Sequence, residues 1–279
     1  MESEQILGQM SALGHPHRMA IYRLVMRRYP DHVPSGEIAR ALDLKPNTTS
    51  TYLAALMSAG LIESQRNGTS VSYRANLTAT QSMLGYLVNE CCRGRPDLCL
   101  PLIKTQGARK AAMPHDKFYV LFICTVNSAR SIFAEAILRH VAGDRFAAHS
   151  AGTTPTSTLN PRVVDMLRQK GLPTDHLRSK NIGEYQGADA PDFDFVFTVC
   201  NQAANEECPS WAGQPISAHW GMPDPVKVEG NEAEQAYAIQ SAYGTLRNRI
   251  EAFTSLPLET LERSSLQNAL DEIGKQPSA

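Results

Sequence analysis

The sequence predicts two domains of different class: a mostly α domain carrying a β-hairpin, then an α/β domain on a doubly wound parallel four-stranded sheet. Three observations predict this. Up to Cys92 apolar residues recur at helical spacing, interrupted by one pair of alternating runs around Asn67-Gly68. From Lys117 onward, apolar strand-like runs alternate with amphipathic segments. The charge also changes sign, with 13 Lys and Arg against 9 Asp and Glu in residues 1–116 and 14 against 19 in residues 117–279. The boundaries assigned are 1–100 for the first domain, 101–116 for a linker, 117–254 for the second domain and 255–279 for a C-terminal helical extension.

The net charge of −1 therefore hides a basic half and does not exclude nucleic acid. With 42% hydrophobic and 20% charged residues, neither a disordered nor a fibrous chain is expected. The N-terminus is acidic and polar, and no apolar run reaches membrane length. The expectation is a cytoplasmic protein with no membrane partner, whose six cysteines stay reduced and serve metal binding or redox chemistry.

In order, residues 3–13 and 16–29 read as helices, the second with Pro16 in its first turn and Ile21, Leu24, Val25 and Tyr29 on one face. Ser35 is expected to cap a short helix containing Ile38, Ala39 and Leu42. Asn47 is expected to cap a second, which buries Leu53, Leu56 and Met57 and stops at Gly60. LIESQR, the turn Asn67-Gly68-Thr69 and VSYRAN then form a hairpin, and this order makes a winged helix-turn-helix. The second helix opens with Asn47, Thr48, Thr49, Ser50, Thr51 and Tyr52, whose polar groups suit base edges and phosphates. Arg66 and Arg74 flank the wing, completing the candidate DNA-binding set. A winged helix used for protein contacts is left open by these residues alone.

The order of these elements, with SALGHPHRMAIYRLV, the recognition-like helix and LIESQRNGTSVSYR, resembles the ArsR-type family of metal- and metalloid-responsive repressors over residues 5–92. That resemblance implies a homodimer formed through the N-terminal domain, which binds a palindromic operator and releases it when an inducer binds. Helix 78–92 ends in Cys91 and Cys92, and Gly94 and Pro96 should turn the chain so that Cys99 comes back toward them. Three thiolates suit a soft ion, so Cys91, Cys92 and Cys99 are the candidate arsenite effector site. SGEIARALDL has no cysteine where many relatives carry Cys-x-Cys. Zinc, which would want a fourth ligand, and unliganded surface thiols are the rivals.

In the second half, Lys117–Ile123 reads as a buried strand, and an amphipathic helix follows through Val141. Between them lies Cys124-Thr125-Val126-Asn127-Ser128-Ala129-Arg130-Ser131. In such a loop backbone N–H groups and the helix N-terminus bind a tetrahedral oxyanion, and the arginine grips two of its oxygens. The same field should depress the Cys124 pKa and make it a thiolate at neutral pH, with Ser131 donating to it. Strands at 146–150, 193–199 and 214–219 and helices at 161–170, 231–254 and 256–275 complete the pattern, and no role is assigned to the last helix. The active site should lie at the carboxyl ends of the strands.

With Ser150-Ala151-Gly152 and His219-Trp220-Gly221-Met222-Pro223-Asp224-Pro225, residues 117–254 resemble the low-molecular-weight tyrosine phosphatase fold, Asp224 matching the family's general acid. His219 and Trp220 are expected to position that acid loop. After strand 193–199 stand Cys200 and Cys208, a pattern similar to thiol-dependent arsenate reductases of the phosphatase-like type. The resemblance implies arsenate as substrate, a relay from Cys124 to Cys200 to Cys208, and thioredoxin, glutaredoxin or glutathione as reductant, with no tightly bound organic cofactor. It also implies that Asn127, Glu135 and Ser150 can help hold potassium behind the loop. Val126 stands where relatives often have Gly, and Ala129 replaces a second loop cysteine. No tyrosine follows Asp224-Pro225 to stack on a phosphotyrosine ring, which favours a bare oxyanion with residual phosphatase activity. The whole reads as an arsenite-responsive repressor fused to an arsenate reductase. A repressor tethered to a plain phosphatase, or to an oxyanion or redox sensor without turnover, stays open.

Overall fold

Two prolines fix the starts of two helices in the first unit, because their preset φ suits the first helical position and their missing N–H costs nothing there. The computed structural model describes residues 2–91, 117–156, 158–187, 190–206, 211 and 214–276, in two units, Met1–Asp116 and Lys117–Ala279. The first contains α1 (Glu2–Leu13), α2 (Pro16–Arg27), β1 (Val33–Pro34), α3 (Ser35–Ala41), α4 (Pro46–Ser58), β2 (Ile62–Asn67), β3 (Ser70–Ala75) and α5 (Leu77–Tyr86), the last prolonged by a π-helical turn Leu87–Cys91. β2 and β3 pair antiparallel from Ile62 opposite Ala75 to Asn67 opposite Ser70, and β1 adds to the other side of β3. Ile6, Ile21, Leu24, Val25, Ile38, Leu53, Leu56 and Leu61 form the core.

Several local expectations need correction. Pro46 takes the first position of α4, so its cap is Lys45 and Asn47 already lies inside the helix. Pro34 likewise precedes α3, and Ser35 makes no capping bond. Met57 is 40% exposed, and Thr49 takes its place among the buried residues of α4. Tyr29 lies beyond the end of α2, whereas Tyr22 is buried on its inner face, its hydroxyl paired with Thr80 Oγ1 at 2.5 Å.

The second unit contains β4 (Phe118–Cys124), α6 (Arg130–Ala142), β5 (Phe146–Gly152), α7 (Pro161–Gln169), a 3₁₀ turn Ile182–Tyr185, β6 (Phe195–Thr198), α8 (Asn201–Asn205), β7 (Ile216–His219), α9 (Glu232–Thr254) and α10 (Arg263–Gly274). The strands are all parallel in the order β5-β4-β6-β7. β4 is central, and all its residues except Tyr119 are buried, as its unbroken apolar run requires. The chain leaves β4 for β5 on one side and later reaches β6 on the other, so the end of β4 is the switch point where such sheets open a crevice. Asn160 and Asn231 cap α7 and α9 through their side chains. No helix among the described residues is long and apolar enough to cross a membrane.

The last helix now has a role. Leu266, Leu270 and Ile273 of α10 are buried in the same core as the sheet. Arg263 Nη2 and Gln267 Nε2 donate to Gln214 O and Ser217 O, which covers the edge strand β7. Trp220 Nε1 donates to Leu270 O at 3.0 Å, and Arg249 bridges Trp220 O and Gly274 O. α10 thus braces the segment that enters the acid loop. Both tryptophans, Trp211 and Trp220, lie in this unit, so their fluorescence follows its unfolding alone. Leu270→Ala should cost about 2–5 kcal/mol in urea titrations read this way, and a cost below about 1 kcal/mol would make α10 dispensable.

Candidate functional site

The catalytic-loop candidate is held by its carbonyls. Cys124 O, Thr125 O, Val126 O and Ser128 O accept from the amides of Thr153, Thr154, Thr156 and Asn160 at 2.8–3.1 Å. A peptide plane points its C=O and the next N–H in opposite directions. The amides of Thr125, Val126, Asn127 and Ala129 therefore turn to the other side, and Asn127 N donates to Cys124 Sγ at 3.0 Å. Ala129 offers α6 no side-chain cap, which leaves the helix's first amides for an anion. Asn127 is the loop's left-handed residue, with φ of +50°. Val126 has no positive φ, so valine there is compatible with the turn.

Behind the loop lies a closed hydrogen-bond network. Asn127 Nδ2 donates to Ser131 Oγ at 2.8 Å and Ser150 Oγ at 2.9 Å, and Ser150 Oγ donates to Glu135 Oε2 at 2.6 Å. Asn127 Oδ1 accepts from Lys180 N at 2.7 Å, while Lys180 Nζ donates to Glu135 Oε2 at 2.8 Å and to Arg178 O at 3.1 Å. Glu135 Oε1 accepts from Arg139 Nη2. The three residues expected to hold potassium do meet, but each oxygen already has a protein donor. They do not fit the ion, and sequence spacing alone gave no sign of Lys180.

Cys124 Sγ lies 2.9 Å from Ser131 Oγ. Burial pushes the Cys124 thiol above its ordinary value and the neighbouring Cys200 adds to this; the Ser131 hydroxyl, the Asn127 amide and the Arg130 charge pull it down without outweighing them. The expected depression of its pKa is thus reversed, because the motif gives the donors but not the depth of burial. Cys200 is buried at the carboxyl end of β6, the neighbour of β4, and its sulfur lies 3.4 Å from Thr125 Oγ1. Arg130 Nη2 donates to Asp224 Oδ2 at 2.9 Å and Nη1 to Met222 O at 3.1 Å, so arginine and acid loop are joined. His219 is buried, its ring nitrogens paired with Thr198 Oγ1 and Asn201 Oδ1 at the end of β6. Cys208 lies outside the described residues.

A cleft of about 650 Å³ opens beside Asp224, lined by Met222, Pro223, Pro225, Val228 and Tyr237 among others. Tyr237 is 69% exposed. It comes from α9, not from the segment after Asp224-Pro225 where the sequence shows no tyrosine.

In the first unit, Asn47 and Ser50 are exposed, Thr48 and Tyr52 half-buried. Thr49 is buried with its hydroxyl on Lys45 O, which removes it from the outward face. Tyr52 stacks near His15 and His17, giving both histidines a partner that spacing did not reveal. Arg66 is exposed on the wing, whereas Arg74 is engaged by Glu63. Cys91 is exposed at the end of the π turn, while Cys92 and Cys99, like the linker, lie outside the described residues.

Residues 119–265, 147 of the 279, match the family described as low molecular weight phosphotyrosine protein phosphatase, and residues 13–65 match a helix-turn-helix domain. Arsenate reductase of Bacillus licheniformis is 33% identical over 138 residues, 48% of this chain and 93% of the relative. That of Shouchella clausii is 33% identical over 139 residues, 49% and 95%. A solved thioredoxin-dependent arsenate reductase of Corynebacterium glutamicum aligns with 25% identity and TM-score 0.39, covering 65% of this chain and 78% of that one.

The forces on Cys124 predict its titration. In pH series of Cys124 alkylation by iodoacetamide, the rate should rise with a midpoint above the free-thiol value of about 8.5. Ser131→Ala should move the midpoint up by removing a donor, and Cys200→Ser should move it down by removing a like charge. A Cys200→Ser midpoint that rises would reverse the assigned sign.

Proposed function

The chain belongs to the low molecular weight phosphotyrosine protein phosphatase family, as an arsenate-reductase-like domain fused to a helix-turn-helix regulatory domain, and from that premise we propose that it reduces arsenate to arsenite and represses transcription until arsenite binds it. The observation that carries the reduction is Cys200, a second buried thiol at the end of the strand beside Cys124. Hydrolysis through Cys124 and Asp224 would have no use for it.

Cys124 thiolate attacks arsenic, and Asp224 supplies a proton to the departing hydroxide. Arg130 and the inward amides of Thr125, Val126, Asn127 and Ala129 carry the oxyanion's charge, with Ser128 and Ser131 supporting the loop. An anion sharing the Arg130 guanidinium would weaken its ion pair with Asp224 and favour the protonated carboxyl that the transfer needs. Cys200 thiolate then attacks the Cys124 sulfur: an S–S bond forms, the S–As bond breaks, its electron pair stays on arsenic, and arsenite leaves. Cys208 thiolate attacks Cys200 and releases Cys124 as thiolate. A thioredoxin-like dithiol, or glutaredoxin with glutathione, reduces the Cys200–Cys208 disulfide. No organic cofactor takes part.

The first unit binds a palindromic operator as a homodimer, with Asn47, Thr48, Ser50 and Tyr52 on α4 and Arg66 on the wing toward the DNA. Thr49 supports α4 from within and Arg74 holds the wing through Glu63. Cys91, Cys92 and Cys99 bind arsenite as three thiolates. The enzyme would thus make the ion that its own sensor detects. The reduced state of all these thiols suits a cytoplasmic protein. The cleft beside Asp224, with Tyr237 on its wall, supports a second reading, a phosphatase acting on an organic phosphate.

Arsenite production with reduced thioredoxin, run beside p-nitrophenyl phosphate hydrolysis, separates these readings. Cys124→Ser should abolish arsenite production, and Cys208→Ala should stall after roughly one turnover per site; sustained turnover by Cys208→Ala would remove Cys208 from the relay. For the sensor, replacing Cys91, Cys92 and Cys99 by Ser should leave operator binding intact but deaf to arsenite. Release of DNA by arsenite from that triple variant would place the sensor elsewhere.

A further inference from the structure

Glu135 is a buried carboxylate, 3% exposed, directly behind an anion-binding loop, and so needs a positive charge at close range. Arg139, 42% exposed, pairs with Glu135 Oε1 from the solvent-exposed part of α6; the buried charge is Lys180, itself 6% exposed, whose ammonium reaches Glu135 Oε2 and Arg178 O. We propose that the Lys180 ammonium is the resident cation of the oxyanion loop, a tethered replacement for an exchangeable monovalent cation, and that it makes anion binding independent of potassium.

Donor and acceptor capacities fix how this works. Lys180 holds the network twice. Its backbone N–H takes Asn127 Oδ1, which fixes the orientation of that amide, and its ammonium neutralises Glu135. Asn127 must then spend both Nδ2 hydrogens on Ser131 and Ser150. Each serine oxygen, having accepted, has one proton left. Ser150 gives its proton to Glu135, and Ser131 gives its own to the Cys124 sulfur. The chain from ammonium to thiolate thus has a single direction, and it holds Asn127 in the left-handed backbone that the loop requires. Lys180 is therefore a positioning residue. Its peptide is also anchored, since Lys180 O accepts from Gly152 N at 2.8 Å. Removing the side chain beyond Cβ would leave a space bounded by Glu135 Oε2 and Arg178 O, two oxygens of the kind a potassium ion takes.

This deepens the oxyanion reading and rests on the loop binding an anion, not on arsenate being reduced. Inorganic phosphate is the probe, titrated calorimetrically into the full chain in potassium chloride and in choline chloride at equal ionic strength. The unaltered protein should bind equally in both salts. Lys180→Ala should bind about tenfold more weakly in choline chloride and regain most of this in potassium chloride, whereas Lys180→Met, which fills the space without charge, should be weak in both. Should Lys180→Ala be unfolded in choline chloride, its thermal melting in the two salts gives the same reading, potassium restoring the transition. Phosphate affinity of the unaltered protein that rises about tenfold with potassium would overturn the proposal. So would a folded Lys180→Ala equally indifferent to the two salts. Salt-independent phosphate binding without arsenite production would sink the reductase reading alone; no phosphate binding by the unaltered protein would sink both.

Discussion

The outward turn of four peptide carbonyls in residues 124–128 is the constraint on which the rest of the second unit depends. Each carbonyl is taken by an amide of the segment 153–160, so the intervening N–H groups have only the Cys124 side to face. An anion pocket made of amides needs no reorganisation when charge arrives, which is the physical content of preorganisation. The sheet supplies the platform: β4 is central and buried, and its end lies at the switch point between β5 and β6. The network behind the loop supplies the torsional control, because Asn127 holds a backbone conformation that a non-glycine residue adopts only at a cost.

Around this pocket two opposing demands meet at one sulfur. A buried thiol resists ionisation, and the adjacent Cys200 increases that resistance, whereas Ser131, Asn127 and Arg130 favour the thiolate. Arg130 divides its donors between Asp224 and Met222 O. Two of the guanidinium's five N–H donors are spent there, so an arriving anion would share Arg130 with the acid loop and change the charge beside both the thiol and the acid. Cys124 and Cys200 are both buried, at the ends of the paired strands β4 and β6, and the Thr125 hydroxyl lies against the Cys200 sulfur.

The sequence made the local patterns legible and left the long-range ones hidden. The strand and loop around Cys124 could be read because an unbroken apolar run gives way to a polar stretch; the helix that follows reads as amphipathic, but α6 is buried at every residue from Arg130 to Leu138. Asn160 was readable as a cap, whereas Asn231, counted in the helix it caps, was not; Asn47 and Ser35 fail as caps because Pro46 takes the first position of α4 and Pro34 the cap position of α3. Thr49 sits in a polar run, and only the phase of α4 turns it inward. Lys180 is separated by 53 residues from Asn127 and by 45 from Glu135, and it lies in no regular element. Nothing local distinguishes it from a surface lysine. Tyr237 and α10 were hidden for the same reason: their significance comes from what they pack beside, not from the pattern they belong to.

The two units divide the six cysteines, with Cys91, Cys92 and Cys99 in the first and Cys124, Cys200 and Cys208 in the second. An oxyanion loop with a redox relay must change the oxidation state of its own thiols in step with its substrate, and that is the central claim. It is tested most directly by exposing the fully reduced chain to arsenate without any reductant and mapping its thiols by mass spectrometry. One arsenite should be released per chain and one disulfide should form, confined to Cys124, Cys200 and Cys208, with none after phosphate. Six free thiols and no arsenite after that exposure would contradict it.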